Sequence, residues 1–357
     1  MQKLSVVFSI LIICTGCAAL SEKPAPPPAP VFYPPPPQRP RLQYLYSIAG
    51  AHDLGKKASA LQEFIFGKID GPLLGKPYDV AACKGKIYIL DRMVKKLAIL
   101  DLVGGKMSFL DDRGSGRFGD PAGIWVSADE VKYVADMQRK QVLAFDDANR
   151  FLKAYGGPEI FAKPVDVAVY GSRVYVVDME KEQLFILDRD RGRLIKTVGE
   201  KGELFKPSHV TVGPAGDIFV TDAFHFRIKR FSPDGRRLGT IGFHGDQVGG
   251  FVRPKGAAVD QNGRLYVVDA AFENVQIFDD QGRVLLFFGG PGSGPGDLHL
   301  PSGIAVDDDE ENTAWFQKFA DPNFKLDQLV YVTNLFGESG LNVYGFGHWI
   351  GESAPGE

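Results

Sequence analysis

One pattern occurs six times in this chain and constrains its fold more than any other feature. Each copy has a proline, then an apolar stretch, then the tetrapeptide Tyr-Val-x-Asp or a close variant of it (YILD, FVTD or YVTN). The six prolines are Pro77, Pro121, Pro164, Pro207, Pro254 and Pro301. Their spacings are 44, 43, 43, 47 and 47 residues. A fixed period of this size predicts a chain built from repeated structural units.

Within one copy the sequence predicts four short strands. Residues 163–199 contain the segments VDVAVY, RVYVVD, QLFILD and GRLIKTVG, which we call strands a, b, c and d. The sequences YGSR and DRDRGR separate them, and glycine in such turns adopts positive φ without a steric cost. Units of four antiparallel strands at this spacing are typical of the blades of a β-propeller.

The segment RLQYLYSIAG, residues 41–50, alternates like a strand but has no nearby partner. A lone strand cannot satisfy its own backbone N–H and C=O groups. The last copy has strands a, b and c and then ends in a poor fourth strand. We therefore predict that strand 41–49 pairs with strand c of the last copy, as its outermost strand. This makes residues 41–348 an all-β, six-bladed β-propeller of four-stranded antiparallel blades, with a disordered tail at 349–357.

The N-terminal segment is predicted to lie outside the fold. The apolar run LSVVFSILIICTG ends in CTGC, which resembles a bacterial lipoprotein signal peptide (1–16) cleaved before Cys17. That resemblance implies lipid on Cys17, a cell-envelope location and, because no retention aspartate follows, the outer membrane of a two-membrane bacterium. The alternative is an ordinary secretory signal.

The segment 17–40 is predicted to be a linker. Ten prolines fall between Pro24 and Pro40, and such runs favour extended polyproline II. The linker would hold the domain away from the membrane, or alternatively present a PxxP ligand to a partner.

The charge and the cysteine content argue against a nucleic-acid-binding protein and against a fold held by disulfide bonds. The net charge is −3 and the basic residues are dispersed, so no nucleic-acid partner is expected. Cys83 is the one cysteine left in the mature chain after Cys17 is acylated, so no intrachain disulfide is available.

The markers shared by the six copies resemble the NHL repeat of β-propeller proteins. The best matches are GGFVRPKGAAVD…LYVVDAAFENVQIFD (249–279) and ELFKPSHVTV…IFVTDAFHFRIKRF (203–231). The resemblance covers residues 42–347 and implies a six-bladed propeller. The sequence departs from the repeat in the loop after strand b and at Asn334, where the other copies have aspartate.

Some recurring residues are predicted to be structural. The aspartate that ends strand b accepts hydrogen bonds from the next turn. Phenylalanines also recur just before the blade prolines and are predicted to pack in the core. They are Phe118, Phe161, Phe205 and Phe251.

The channel is the candidate metal site. Strand a lines the axis of a propeller, and the second residue after each proline is Asp79, Asp166 or His209 in three of the blades. These three groups are candidates to hold a single divalent cation; the alternative is a hydrated channel without an ion. No cofactor is otherwise expected.

An enzyme is the minority interpretation. Among similar proteins, the peptidyl-hydroxyglycine amidating lyase binds zinc through histidines, some of them directly after the blade proline. The corresponding residues here are Tyr78, Ala122, Val165, Ser208, Lys255 and Ser302, none an imidazole ligand. A metal-dependent lyase or hydrolase would therefore have to use the channel mouth near Asp79, Asp166 and His209.

Two surface features favour a binding protein. The loops between strands b and c carry apolar residues on one face, a predicted interaction surface for a protein or peptide. They are Met93, Met137, Met179, Phe224, Phe226, Phe272 and Phe336. The alternative is that these side chains fold down against neighbouring loops.

The second feature is an insertion at residues 307–328 in the last blade. It is predicted to contain a short helix capped by Asn312 or Thr313, with Trp315, Phe316 and Phe319 on part of one face. These aromatic side chains need burial, either against blade 6 or against a partner.

Overall fold

The computed structural model describes residues 29–55 and 73–351. Within these residues six antiparallel sheets form the blades of a β-propeller, as the repeat predicts. Strands β1 (Phe32–Tyr33) and β2 (Leu42–Ile48) belong to the last blade. Short 3-10 turns lie at Ala51–Asp53 and Gly114–Gly116.

Each of the first five blades consists of four consecutive strands. Blade 1 contains β3 (Pro77–Cys83), β4 (Lys86–Asp91), β5 (Lys96–Asp101) and β6 (Lys106–Phe109). Blade 2 contains β7 (Pro121–Val126), β8 (Lys132–Asp136), β9 (Gln141–Phe145) and β10 (Phe151–Tyr155). Blade 3 contains β11 (Pro164–Tyr170), β12 (Arg173–Asp178), β13 (Gln183–Asp188) and β14 (Leu194–Val198).

The remaining blades carry the additional elements. Blade 4 contains β15 (Pro207–Val212), β16 (Ile218–Asp222), β17 (Arg227–Phe231) and β18 (Arg237–Ile241). A parallel pair, β19 (Phe243–His244) and β20 (Gly250–Phe251), precedes blade 5. Blade 5 contains β21 (Pro254–Val259), β22 (Leu265–Asp269), β23 (Asn274–Phe278) and β24 (Val284–Gly289). Blade 6 contains β25 (Pro301–Asp307), helix α1 (Glu310–Gln317), β26 (Phe324–Asn334) and β27 (Leu341–Trp349).

The predicted ring closure is confirmed. Strand β2 pairs antiparallel with β27, with Tyr44 opposite Tyr344 and Tyr46 opposite Val343. The rings of Tyr44 and Tyr344 are also in edge-to-face contact, 5.7 Å between centroids. A strand from the front of the chain therefore completes the last sheet, which ties the two ends of the ring together.

The proline-rich segment corrects the prediction in one respect. Strand β2 is not outermost, because β1 pairs with its free edge and makes blade 6 five-stranded. Phe32 is buried and packs against Phe324 and Trp349, with each pair of ring centroids 5.9 Å apart. The predicted linker 17–40 thus ends before Phe32, and its residues 17–28 lie outside the described part of the chain.

The C-terminal boundary is corrected in the same way. The predicted tail 349–357 begins one residue too early, because Trp349 is the last residue of β27 and pairs with Phe324. The backbone N–H of Ile350 also donates to Asn323 O at 2.8 Å. Residues 352–357 of the tail lie outside the described residues.

The insertion forms a helix that is buried against blade 6. Its N-cap is Asp309, rather than Asn312 or Thr313, and the Asp309 carboxylate accepts from Glu311 N and Asn312 N at 3.1 Å each. Phe316 is fully buried against Tyr331. The helix therefore packs on its own blade.

The two other aromatic residues of the insertion lie at the edge of this contact. Phe319 stacks on Tyr46, with centroids 4.4 Å apart and an angle of 22° between the ring planes. Trp315 is half-buried beside Phe316 and is covered by the ammonium group of Lys318.

The aspartates that end strand b have the predicted structural role. Asp178, for example, accepts from Ala162 N and Lys163 N before strand a and from Glu180 N and Lys181 N in the b–c turn, at 2.7 to 3.0 Å. Each such carboxylate therefore holds the loop before strand a against the turn after strand b, on the same face of the ring.

The predicted core phenylalanines are correct in three blades and wrong in one. Phe118, Phe161 and Phe251 are buried, and each lies three residues before its blade proline. In blade 4 that position is Leu204, which is fully buried, while Phe205 is 41% exposed. The spacing from the proline, rather than the residue type, decides which side chain enters the core.

Among the described helices, none is both long enough and apolar enough to cross a membrane.

Candidate functional site

The channel contains a buried polar cluster at the second position after the blade prolines. Asp79, Asp166 and His209, from blades 1, 3 and 4, offer ligand atoms that all lie within 4.8 Å of one another. Their shared position after the blade prolines predicts that these three residues meet in the channel, and in the structure they do. Both aspartates are nearly inaccessible to solvent.

The two carboxylates satisfy backbone groups of the next blade. The inner edge of strand a has no neighbouring strand, so its N–H groups need other acceptors. Asp79 Oδ2 accepts from Ile124 N and Asp166 Oδ2 from Val210 N, each at 2.8 Å. These bonds join blade 1 to blade 2 and blade 3 to blade 4.

His209 has an acceptor at each ring nitrogen. Nδ1 lies 2.8 Å from Asp166 Oδ2, and Nε2 lies 2.7 Å from the carbonyl oxygen of Ala257. Since neither a carboxylate nor a carbonyl donates, both nitrogens carry a proton and the ring is an imidazolium. Such a ring has no lone pair for a metal ion, so this arrangement of the three residues does not fit a divalent cation.

The charges in the cluster follow from burial and proximity. Burial, followed by the charge of Asp166, raises the pKa of Asp79 to about 7. Burial alone would lower the pKa of His209, but the Asp166 carboxylate, the charge of Asp79 and the hydrogen bond to Ala257 together outweigh it and raise the pKa to about 9. Asp166 and His209 therefore form a buried ion pair, with Asp79 close to its own titration at neutral pH.

Glycines at the equivalent positions make room for this cluster. A Cβ at Gly123 would lie 2.0 Å from Asp166 Oδ1, and one at Gly303 would lie 2.6 Å from Asp79 Cα. Gly256 is similarly close to backbone of Ser302 and Gly303. Gly123 and Gly303 thus leave the space that the side chains of Asp166 and Asp79 occupy, and Gly256 allows the backbones of blades 5 and 6 to approach closely.

The cluster divides the channel into two compartments. Towards the a–b turns there is a cavity of about 500 Å³ whose walls are both apolar, as at Ile124 and Val306, and polar, as at Thr211 and Gln261. Towards the b–c loops there is a cavity of about 20 Å³, lined among others by Tyr78, Ser208, Lys255 and Ser302. The second cavity has room for about one water-sized group.

The predicted apolar b–c face is only partly exposed. Met93, Phe224 and Phe336 project into solvent, with exposures of 71%, 58% and 58%. Met137 and Met179 are half-buried against a core cluster of blades 3 and 4.

The other two members of the predicted face are also half-buried. Phe226 stacks on His244, with ring centroids 4.1 Å apart, and Phe272 is half-buried in its turn. The apolar surface therefore lies over blades 1, 4 and 6, rather than over all six.

Sequence reasoning missed two features of this face. Phe205 is in edge-to-face contact with Phe224, with ring centroids 5.4 Å apart, and the two form the aromatic pair of blade 4. Its position two residues before Pro207, where the core residues lie three before, was the available signal. The second feature is Lys255, which directly follows Pro254 and lies in the channel mouth. It is the one charged residue among the six that directly follow the blade prolines.

Cys17, the predicted lipidation site, lies outside the described residues.

Comparison with known proteins gives the fold. No family model and no curated protein sequence matches this chain. Virginiamycin B lyase from Staphylococcus aureus is 13% identical, with a TM-score of 0.53 over 76% of this chain and 95% of its own. An auxiliary nutrient binding protein from Bacteroides thetaiotaomicron is 14% identical, with a TM-score of 0.57 over 76% and 70%.

A gluconolactonase from Xanthomonas campestris is also similar, at 15% identity and a TM-score of 0.55, over 85% of this chain and 89% of its own. Enzymes and binding proteins thus share this architecture, and at these identities the similarity shows the fold alone.

Proposed function

We propose that this chain is a membrane-anchored, extracytoplasmic binding scaffold that holds a protein or peptide partner on the b–c face of an NHL-type propeller. One observation carries the proposal: Phe205 and Phe224 form an exposed aromatic pair, and Met93 and Phe336 are exposed on the same face. Aromatic and methionine side chains are enriched in the cores of protein interfaces.

The rigidity of the ring supports this proposal. In blades 1, 2, 3 and 5 the loop between strands b and c starts from an aspartate that accepts backbone N–H groups from that loop and from the segment before strand a, as described for Asp178. A partner would therefore meet side chains that are already positioned, which reduces the entropy lost on binding.

The anchor is proposed from the sequence of the first residues. Lipid on Cys17 would place the propeller at the envelope membrane. Replacing Cys17 with Ser should move the protein from the membrane fraction to the soluble fraction, and a variant that stays with the membrane contradicts the anchor without touching the binding proposal.

The partner-binding face is tested by crosslinking and pull-down from native membranes. The double variant Phe205→Ser, Phe224→Ser should lose the partner that the wild-type chain captures. Phe287→Ser is the matched control, because Phe287 is 55% exposed on the outer strand β24. Surface substitutions change stability by about 0.5 kcal/mol or less. Capture by the double variant at the wild-type level, or its unfolding, argues against the proposal.

The metal-dependent lyase or hydrolase is the weaker candidate. Its three residues do converge, but His209 has both nitrogens engaged with acceptors. We expect chelator-treated protein, reloaded with zinc and dialysed, to hold far less than one ion per chain. A stoichiometric ion that is lost in His209→Gln would favour the enzyme.

A further inference from the structure

The b–c mouth of the channel contains an ammonium group without a carboxylate partner. Lys255 is half-buried, and its Nζ lies 6.0 Å from the centre of the Tyr78 ring. Among residues 29–55 and 73–351, no carboxylate lies within ion-pair distance of it. Lysines that lose much of their hydration are normally paired, so this one requires an explanation.

Two guanidinium groups add to the positive charge. Arg92 also lies over the Tyr78 ring, with its Cζ 4.8 Å from the ring centre. Its guanidinium group forms an ion pair with Asp120. Arg253 is exposed nearby. Burial, followed by the charges of Arg253 and Arg92, lowers the pKa of Lys255. The charge of Asp166 in the same cavity is offset by the His209 imidazolium, so these basic groups favour an anion at the mouth over a further cation.

Hydroxyl groups complete one side of this mouth. Ser208 Oγ is buried and has no hydrogen-bond partner in the described part of the chain. Ser208, Ser302 and Tyr78 line the cavity of about 20 Å³ together with Lys255, and the cluster of Asp79, Asp166 and His209 also lines it. On the opposite side of the ring, blades 2 and 3 contribute the apolar Ala122 and Val165.

We propose that this mouth binds the carboxylate of a small organic acid or of a peptide C-terminus, with Lys255 as the cation and Ser208 as a hydroxyl donor. The cavity admits about one oxygen atom, which suits a carboxylate oxygen better than a phosphate group with three free oxygens. The remainder of the ligand would lie outside this cavity, on the b–c face of the ring. This goes beyond the proposed scaffold function, since the subsite needs no protein partner.

The test is calorimetric titration of the purified full-length chain in detergent. The probes are N-acetyl-L-phenylalanine, its carboxamide, and acetate. We expect the first to bind and the carboxamide not to bind, because only the carboxylate carries the charge. Binding of acetate as well assigns the site to small acids generally. Binding of N-acetyl-L-phenylalanine alone assigns it to a carboxylate beside an apolar group, as at a peptide C-terminus.

Variants locate the binding. Lys255→Met keeps the apolar stem and should weaken binding about ten-fold or more, which corresponds to about 1.4 kcal/mol. Lys255→Arg keeps the charge and should restore most of the affinity. Lys201→Met is the control, since Lys201 is exposed away from the channel lining. The inference is overturned if acid and amide behave alike, or if Lys255→Met binds as the wild type does. Loss of the pull-down partner leaves this result unaffected.

Discussion

His209 Nδ1 lies 2.8 Å from Asp166 Oδ2, and this buried ion pair joins blades 3 and 4 at the axis of the ring. The same imidazolium reaches blade 5 through Ala257 O. The axis of the propeller therefore contains a buried charged side chain that contacts three blades, and we expect the stability of the fold to depend on pH.

The first prediction concerns His209. Its pKa in the folded protein, about 9, is above the ordinary value of 6.5, so the folded state binds the proton more tightly. The stabilisation is complete below about pH 6.5 and is lost as the pH rises through 9, on the order of 3 kcal/mol in total. The free energy of unfolding of His209→Gln, measured in urea, should therefore be closest to that of the wild type at pH 9.5. A constant difference between pH 6 and 9.5 contradicts the imidazolium.

The second prediction concerns Asp79. Its pKa of about 7 is also raised in the folded protein, so the folded state becomes less stable relative to the unfolded state as the pH rises from about 4 to 7. Asp79→Asn resembles the protonated acid at every pH. Its stability relative to the wild type should rise across that interval, whatever fixed cost the amide adds. A flat or falling difference in urea unfolding rules out the raised pKa.

The third prediction concerns the packing around the cluster. Gly123→Ala would place a Cβ 2.0 Å from Asp166 Oδ1, and the backbone of blade 3 leaves little room to move. We expect a loss of about 1–3 kcal/mol in the free energy of unfolding. Gly239→Ala is the control, because no atom lies within 4 Å of its added Cβ. Equal effects of the two substitutions would show that the channel is not close-packed.

The fourth prediction concerns the added strand β1. Phe32 is 6% exposed between Phe324 and Trp349, so Phe32→Ala should cost about 3 kcal/mol. Phe243→Ala, at a side chain that is 45% exposed, should change thermal stability little. If both variants have the same melting temperature as the wild type, the proline-rich segment does not pack on blade 6 in solution.

The fifth prediction concerns the cap of α1. The Asp309 carboxylate accepts from two N–H groups of the helix and also from Lys84 N in blade 1, at 3.1 Å. Asp309→Ala should cost about 1 kcal/mol or somewhat more. Asp308→Ala, at the neighbouring residue, should cost less than half of that. Chemical denaturation compares the two, and equal losses would exclude the cap.

The repeat could be read from the sequence because its signals are local. Strand alternation, turn glycines and the aspartate after each strand b lie within a few residues of one another, and each acts through neighbouring backbone groups. Ring closure followed because strand 41–49 lacked any other partner. The convergence of Asp79, Asp166 and His209 followed from their shared position after the prolines.

The missed features depend on contacts between distant parts of the chain. Residues 29–40 show no strand pattern, and β1 forms only because β2 presents a free edge beside Phe324 and Trp349. The exposure of Phe205 reflects the burial of Leu204 between blades.

The sequence by itself determined the number of blades, the order of their strands and the residues that meet at the axis, because these depend on period and alternation. Only the tertiary structure decided that both nitrogens of His209 are engaged, and that Lys255 lacks a carboxylate partner among the described residues. Such pairings depend on distances of a few ångströms between blades, and no local pattern specifies them.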